Sequence, residues 1–585
     1  MSSVAHLWDL VSRGVHDRAT LDLPRQQERQ VRLTDLLSRA ERTAGQVLAE
    51  LAGRRPRRVG LLLSNGEPWV RALLAALRLD AVVVPLPLPI AFTGFDAYAA
   101  HLARIAADAR LDVVLVDHSF GSATAARVAA ALSQSTPGAA AHGWPAVIDV
   151  TRPADAPPPA AAFSGRESSD NAAAVIQYTS GSTSAPKGVV LTHGNIAASL
   201  AAMAERTAWT DQDVLGLWLP LFHDMGLFSL LGAIVAGGSV CLWRPADFVR
   251  RPMGWLAEFA AARATGLPAP NFCYDYLVDS AQRDGIPGGL DLSAWRFAIN
   301  GAEPVQLRTV QAFSRTFSSC GLRPHLIRPA YGLAEATLMV TLPALNEPVR
   351  HVLADRAQLG SGDRVRIIEN PGRSGAPGRL ARTVVSCGSA VPGMGVRVAD
   401  SSGTACPDGT VGEIQISGPS VTRGYLNVPS TAQPVTPDRW LRTGDLAFMF
   451  GGEVYVVGRL KDMIIVRGQN YYPEDVEEIV RTTPGVDRRT CVAFAAPDEG
   501  TERLVVLWET RLDPEAAAAR TSQMHHRIRD QLGIGAVDIV PVAPSTIPHT
   551  TSGKVRRTAA ERLCSENNLV ISPGELASRT ERATR

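Results

Sequence analysis

Apolar positions follow two repeating textures along most of this chain. Between residues 33 and 51 they recur at helical spacing (Leu33, Leu36, Leu37, Ala40, Ala44, Val47, Leu48, Leu51), which predicts one amphipathic helix. Short unbroken apolar runs then predict strands at 59–63, 81–85 and 113–116, separated by helices at 67–79 and 97–109. Strands alternating with helices predict a doubly wound α/β unit around a parallel sheet. The rhythm returns with strands at 172–178, 189–191, 214–219, 239–242 and 296–299. Helices are predicted from a cap at 192–195 through 204, over 226–235 and over 253–263.

The texture changes from about residue 345. Residues 355–382 are charged, carry five glycines and offer one short strand candidate at 365–368, so they are expected to form an insertion or a mobile surface element. Residues 384–451 are rich in strands and turns, as a small distorted β-barrel would be. A hairpin starts at 453–457, and Gly458-Arg459-Leu460-Lys461-Asp462 marks a boundary. Strands at 463–466, 490–495 and 504–509 with helices at 473–481 and 515–532 predict an α+β domain of about a hundred residues. The expected organisation is an N-terminal part, 1–458, of doubly wound α/β subdomains plus the barrel from about 384, with an insertion at about 350–383. A second, α+β domain covers 459–585. The Pro/Ala-rich 154–162 reads as a surface connector and the polar 566–585 as a fraying tail.

Composition narrows the class. The chain has 585 residues, 45% hydrophobic and 20% charged, which suits a soluble globular protein of up to about four domains. A net charge of +2 supplies no electrostatic case for nucleic acid. The longest apolar run, 227–243, is broken by Gly237-Gly238-Ser239 and reads as helix, turn and strand rather than an integral membrane segment. Seven singly scattered cysteines without a CxxC pair argue against a disulfide framework or structural zinc. With no apolar leader in residues 1–20, a cytoplasmic protein is expected.

One stretch carries candidate chemistry. Thr179-Ser180-Gly181-Ser182-Thr183-Ser184-Ala185-Pro186-Lys187-Gly188 lies between two predicted strands. Small hydroxylated residues and glycines there present short donors and backbone N–H groups, and Lys187 adds a cation, as a phosphate oxyanion requires. The spacing differs from GxxxxGK[ST]. Alone, the run is equally a flexible polar connector.

Six further segments follow in order: Trp218–Gly226, Asn300–Pro304, Tyr331–Glu335, Arg442–Asp445, Gly458–Asp462 and Thr550–Lys554. The ordered set resembles the adenylate-forming superfamily of acyl- and aryl-CoA ligases, peptide-synthetase adenylation domains and luciferases. Phe222–Gly226, Tyr331–Thr337 and Asp462–Pro473 look most like the fatty acyl-AMP ligases. The resemblance implies ATP and Mg²⁺ as cofactors. It implies that Thr179, Ser180, Gly181, Ser182, Thr183 and Lys187 grip pyrophosphate and that Glu335 is the metal ligand. Tyr331 would stack on adenine, with Gly332 beside it among the nucleotide-binding residues, and Asn300, Gly301, Ala302 and Glu303 would line the other side of the base. Asp445 would clamp the ribose, Arg459 would reach ribose or α-phosphate, and Lys461 would be the hinge of a mobile C-terminal domain. Lys554 is the expected catalytic lysine. His223 is either at the mouth of the acyl pocket or a hydrogen-bonded core residue, and Phe222, Asp224, Met225 and Asn271 are expected around that pocket.

Two positions depart from the superfamily: Ser184 stands where glycine is usual, and Ala334 replaces a threonine, as fatty acyl-AMP ligases commonly do. The resemblance therefore implies activation of a fatty acid to acyl-AMP with release of pyrophosphate. Transfer to the phosphopantetheine of a separate acyl carrier protein would follow. The segment 355–382 falls where those ligases carry an insertion associated with loss of CoA as acceptor. An acyl-CoA ligase on the same fold is the nearest alternative, and a catalytically inactive nucleotide- or acyl-binding module a further one.

Overall fold

A computed structural model describes residues 6–89, 95–117, 127–128, 130, 132, 145–151, 163, 169–179, 186–368, 381–466, 469–486, 491–498, 501–535, 537–549 and 555–566. The predicted connector at 154–162 and the tail from 567 onward lie outside these residues.

Two large sheets dominate the first half. In the six-stranded sheet the order is Ala146–Asp149, Val113–Val116, Arg58–Leu62, Val82–Pro85, Ala173–Thr179, Lys187–Thr192. All neighbours are parallel except the final antiparallel pair. The seven-stranded sheet runs Ile327–Pro329, Phe297–Asn300, Gly266–Ala269, Val214–Leu217, Ser239–Leu242, Thr20–Asp22, Gln30–Arg32, again parallel but for one edge pair. Parallel strands are covered on both faces, so they read as continuous apolar runs. Every residue of Val113–Val116 and of Phe297–Asn300 is buried.

The helical period at 33–51 becomes the helix Leu33–Glu50, with Leu33, Leu36, Ala40, Ala44 and Val47 buried. The helix predicted after the candidate loop is His193–Thr207. Thr192 caps it through a reciprocal pair of bonds with Asn195, at 3.0 and 3.1 Å. The sequence reading missed the strand Gly266–Ala269 and the helix Asn271–Asp284. The strand is four residues long and includes Pro268, a residue that argues against strand assignment.

Between residues 331 and 459 the strands are antiparallel, in sheets of three, two and four. The segment expected to be an insertion or a mobile surface element is packed along its described flanks. His351–Asp355 pairs with Ala381–Val385 over five residue pairs, and Leu359 joins Val352, Val384, Phe448, Tyr455 and Tyr472 in one buried cluster. The charges of this segment divide: Arg364 and Arg366 are exposed, whereas Arg356 and Arg382 both pair with Asp475. Farther on, the strands Cys491–Asp498, Thr501–Glu509 and Val537–Val542 carry the helices Pro473–Arg481 and Pro514–Leu532 around their own buried cluster.

Candidate functional site

In an open α/β sheet ligands bind outside the carboxyl ends of the strands. Here the strands Gly266–Ala269, Phe297–Asn300 and Ile327–Pro329 end side by side, and each delivers predicted residues: Asn271, Asn300–Glu303 and Tyr331. The antiparallel pair Ala173–Thr179 and Lys187–Thr192 is in register up to Thr179 opposite Lys187. Ser180, Gly181, Ser182, Thr183 and Lys554 lie outside the described residues. The residues flanking 550–554, His549 and Val555, pair as an antiparallel bridge.

Two hydrogen-bonded groups form the polar side. In the first, Tyr331 donates its hydroxyl to Asp445 Oδ2 (2.8 Å) and Arg459 donates Nε–H to Oδ1 (3.1 Å). Asp445 and Arg459 are also cross-strand partners in the ladder of Leu441–Phe450 and Glu453–Arg459. The turn before Asp445 needs Gly444, whose φ is +74°. The Gly444 N–H donates to Glu413 Oε1 (2.9 Å). Burial pushes the Tyr331 hydroxyl far above its ordinary range, and the Asp445 carboxylate adds to this. Tyr331 thus stays protonated and positions Asp445, with its ring in a buried cluster beside Ala336, Val340 and Ile414.

In the second group, Glu335 Oε1 accepts from the Tyr425 hydroxyl (2.6 Å), and the Lys187 ammonium lies 5.3 Å from the centroid of that same ring. Burial raises the Glu335 carboxyl above its usual range; Tyr425 pulls it down and the Asp224 carboxylate pushes it up. A half-buried carboxylate beside a second one, with Lys187 and Arg459 nearby, fits a site for a divalent cation carrying polyphosphate. Lys461 is held below the ordinary lysine range by desolvation. The Arg459 and Lys187 cations add to that shift, while Asp462 and Asp445 oppose it.

Tyr425 was missed by sequence reasoning. Its signal was the turn Arg423-Gly424-Tyr425-Leu426-Asn427, with Gly424 at φ +143° and Asn427 at φ +57°. Tyr425 bridges to Val189, which is how the loop strand and Glu335 meet.

Several expected residues have other work. Asn271, expected at the acyl pocket, is a buried knot: Oδ1 accepts from Asn300 Nδ2 and from the Gln306 N–H, both at 3.1 Å, and Nδ2 donates to Thr309 Oγ1 (3.1 Å). Its amide is fully engaged, so it holds strand ends together. Glu303 Oε1 accepts the Phe272 N–H (2.5 Å) in the first turn of Asn271–Asp284, where a carboxylate suits the helix dipole. Ala302 sits at φ +65°, which turns the chain between these two. Asn300 is fully buried, and its Oδ1 has no hydrogen-bond partner among the described residues. Gly332 tolerates no side chain, since a Cβ there would lie 1.9 Å from the Leu338 carbonyl.

His223 is the N-cap position of the helix Asp224–Val235, half-buried, with its ring 4.5 Å from that of Phe222. Phe222, expected at the acyl pocket, packs into the cluster of Val84, Leu86 and Ile176 on the other sheet. A small apolar cavity of about 30 Å³ lies deeper along the same helix, lined on that side by Ser229, Gly232 and Ala233.

Three side chains of metal-ligand type also meet away from this site: His6, Asp80 and His193. His6 Nδ1 accepts the Trp8 N–H and His193 Nδ1 accepts the Leu7 N–H, each at 3.2 Å. The ring protons therefore sit on Nε2, and these face Asp80 Oδ1 at 2.5 and 4.0 Å. Protonated nitrogens do not ligate a cation; the trio ties Leu7–Gly14 to His193–Thr207. All seven cysteines are free, six of them buried, and no described helix is long and apolar enough to cross a membrane.

Residues 12–426 match the AMP-binding enzyme family. The chain is 31% identical over 529 residues to the medium-chain-fatty-acid–[acyl-carrier-protein] ligase JamA of Moorena producens, covering 86% of this chain and 85% of that protein. It is 34% identical over 530 residues to the long-chain-fatty-acid–AMP ligase FadD26 of Mycobacterium tuberculosis, covering 86% of each. Among solved structures it resembles one from a study of fatty acyl-adenylate ligases of E. coli and L. pneumophila, with TM-score 0.83 and 28% identity over 95% of this chain and 97% of that one. It also resembles the fatty acyl-adenylate ligase from L. pneumophila in complex with acyl adenylate and pyrophosphate, with TM-score 0.69 and 28% identity over 97% of this chain and 96% of that one.

Proposed function

The chain belongs to the AMP-binding enzyme family, and on that premise we propose that it is a fatty acyl-AMP ligase. It joins a fatty acid to the α-phosphate of ATP, releases pyrophosphate, and passes the acyl group to the phosphopantetheine thiol of an acyl carrier protein in trans. The observation that carries this reading is that the group of Lys187, Tyr425 and Glu335 lies beside the group of Tyr331, Asp445 and Arg459, with the Arg459 cation acting on Glu335.

The chemistry brings a carboxylate against a polyanion, so repulsion must be neutralised before attack. Asp445 accepts from the ribose hydroxyls, held still by Tyr331 and Arg459. Lys187 and residues 179–183 hold the leaving pyrophosphate. Glu335 is the residue that would hold Mg²⁺, which when bound neutralises phosphate charge. Lys554 approaches the α-phosphate from the C-terminal part, 459–585, which turns about Lys461 between adenylation and transfer. The scattered free thiols support a cytoplasmic location.

The acceptor is argued from the helix Pro473–Arg481. Its Asp475 pairs with Arg356 and with Arg382 Nε (2.9 Å), its Glu478 pairs with Arg308, and the adjoining Tyr472 hydroxyl donates to the Leu359 carbonyl (2.6 Å). Arg356, Leu359 and Arg382 lie within the segment 355–382, which thereby restrains the part of the chain that must turn to admit a thiol. A carrier protein brings its own docking contacts to overcome that restraint; free CoA brings fewer. Acid-dependent exchange of labelled pyrophosphate into ATP tests the first step, and acid-independent or absent exchange would refute it. Incubation with CoA or with a phosphopantetheinylated carrier tests the second, where efficient acyl-CoA formation would point to an acyl-CoA ligase instead.

A further inference from the structure

Asp108 stands in the last turn of the helix Phe95–Ala109. A carboxylate at that end opposes the helix dipole, so its presence calls for a reason outside the helix. Nor does it serve the helix end, since Arg58 Nη1 already donates to the Ala109 carbonyl (2.5 Å). Its hydrogen-bond partners are neutral donors from two distant parts of the chain. Oδ2 accepts the Tyr178 hydroxyl (2.6 Å), and Oδ1 accepts from Asn427 Nδ2 (2.9 Å). The same Asn427 nitrogen donates to the Asp108 main-chain carbonyl (2.9 Å), across 319 residues of sequence.

Each partner leads to a residue of the nucleotide site. Tyr178 lies opposite Gly188 in the strand pair that reaches Thr179 and Lys187. Its ring covers Gly188, where a Cβ would lie 3.1 Å from that ring and 2.9 Å from Ile176. Glycine there leaves the ring in place, with its hydroxyl on Asp108. Burial, and then the Asp108 carboxylate, raise the pKa of that hydroxyl, so it remains a donor. Asn427 closes the turn that carries Tyr425, and its φ of +57° suits asparagine. The turn is laced to the strand Lys187–Thr192. Leu426 N–H donates to the Gly188 carbonyl (2.8 Å), and Val190 N–H to the Gly424 carbonyl (3.2 Å). At its start, Thr422 N–H donates to the Glu335 carbonyl (2.7 Å). One carboxylate thus pins both segments that set Lys187 at 5.3 Å from the Tyr425 ring.

We propose that Asp108 is a positioning residue of the nucleotide site, holding the Lys187 strand and the Tyr425 turn in register. The proposal rests on the fatty acyl-AMP ligase reading and adds to it a residue that acts through two others. The Tyr178 bond is part-buried, whereas Asn427 is exposed, so the Tyr178 arm carries more of the effect.

The test is exchange of labelled pyrophosphate into ATP with butanoate, decanoate and stearate, the best of the three serving for the variants. KM is read separately for ATP and for the acid. Asp108→Ala should raise the KM for ATP by about tenfold and leave that for the acid within about twofold. Asp108→Asn, which still accepts the Tyr178 hydroxyl, should stay within about threefold of wild type. Tyr178→Phe, which keeps the ring over Gly188, should resemble Asp108→Ala. Asn427→Gly, which tolerates the same φ, should cost less than either. In a double-mutant cycle, Tyr425→Phe should cost less in the Asp108→Ala background than in the wild type. An unchanged KM for ATP, an equal rise in both KM values, or full additivity with Tyr425→Phe would overturn the proposal while the ligase reading stands. If Asp108→Ala does not fold, Tyr178→Phe decides by the same criteria. A wild type that exchanges with none of the acids would overturn the ligase reading itself, and the proposal with it.

Discussion

On its nucleotide side the site consists of charged and hydroxyl groups that hold one another: Asp445 by Tyr331 and Arg459, Glu335 by Tyr425, with Lys187 beside that ring. Deeper along the helix Asp224–Val235, a small cavity has apolar walls that include the packed rings of Trp209 and Phe297. On the polar side a single atom matters, because a buried polar group without its partner costs about 1–3 kcal/mol. In the cavity no atom is indispensable, but volume is, since packed interiors register a single methylene. Substitutions on the two sides should therefore differ in kind, the first acting through a lost polar contact and the second through packing.

The largest effect is expected from Glu335→Gln. Removal of the carboxylate should lower acid-dependent exchange by about a hundredfold or more for every acid. The same change should not lower thermal stability, and this follows from the direction of the shift. Burial raises the folded-state pKa of Glu335. A raised pKa contributes stability at low pH that is lost as pH rises through the folded value. At neutral pH the buried carboxylate is thus a cost to the fold, which glutamine removes. A clear fall in melting temperature would show Glu335 to be structural.

Asp445→Ala is expected next, with kcat/KM for ATP reduced by about thirtyfold or more as the ribose contact goes and Arg459 and Tyr331 lose their acceptor. The acid-length profile should stay unchanged. Tyr425→Phe should cost about tenfold and should also move the acid limb of the pH profile. The hydroxyl bond favours the ionised form of Glu335, so its loss raises that pKa further and activity should fall off at higher pH than in the wild type. An unshifted acid limb would separate Tyr425 from Glu335. The smallest effect belongs to the helix Pro473–Arg481. Asp475→Asn should change exchange by less than about threefold while hydrogen exchange across 473–481 quickens, because it breaks largely buried ion pairs that lie apart from the nucleotide groups.

How much of this was legible in the chain differs between the two sides in the same way. Asp445, Arg459, Tyr331 and Glu335 stand in short segments that were legible through their ordered resemblance to the adenylate-forming superfamily. Tyr425 was as important but sits in a turn, and its role exists only because it bridges to Val189 and reaches Glu335. The cavity had no comparable signal. Leu227–Val235 is an apolar run of a kind that is core by default, and Phe222 packs on the opposite sheet. Asn271 and Glu303 stand where ligands are expected, but they hold strand ends and a helix start together. Arg356 and Arg382 of the segment 355–382 read as solvated, and pairing with Asp475 buried them.

The sequence by itself determined the alternation of strands and helices, the burial of the parallel strands and the order of the polar segments, because periodicity and residue chemistry are local properties. Only the tertiary structure decided which polar side chains meet, which are consumed as struts, and how deep the apolar cavity runs. Those depend on contacts such as Tyr425 to Glu335, 90 residues apart, and Trp209 to Phe297, which no local pattern encodes.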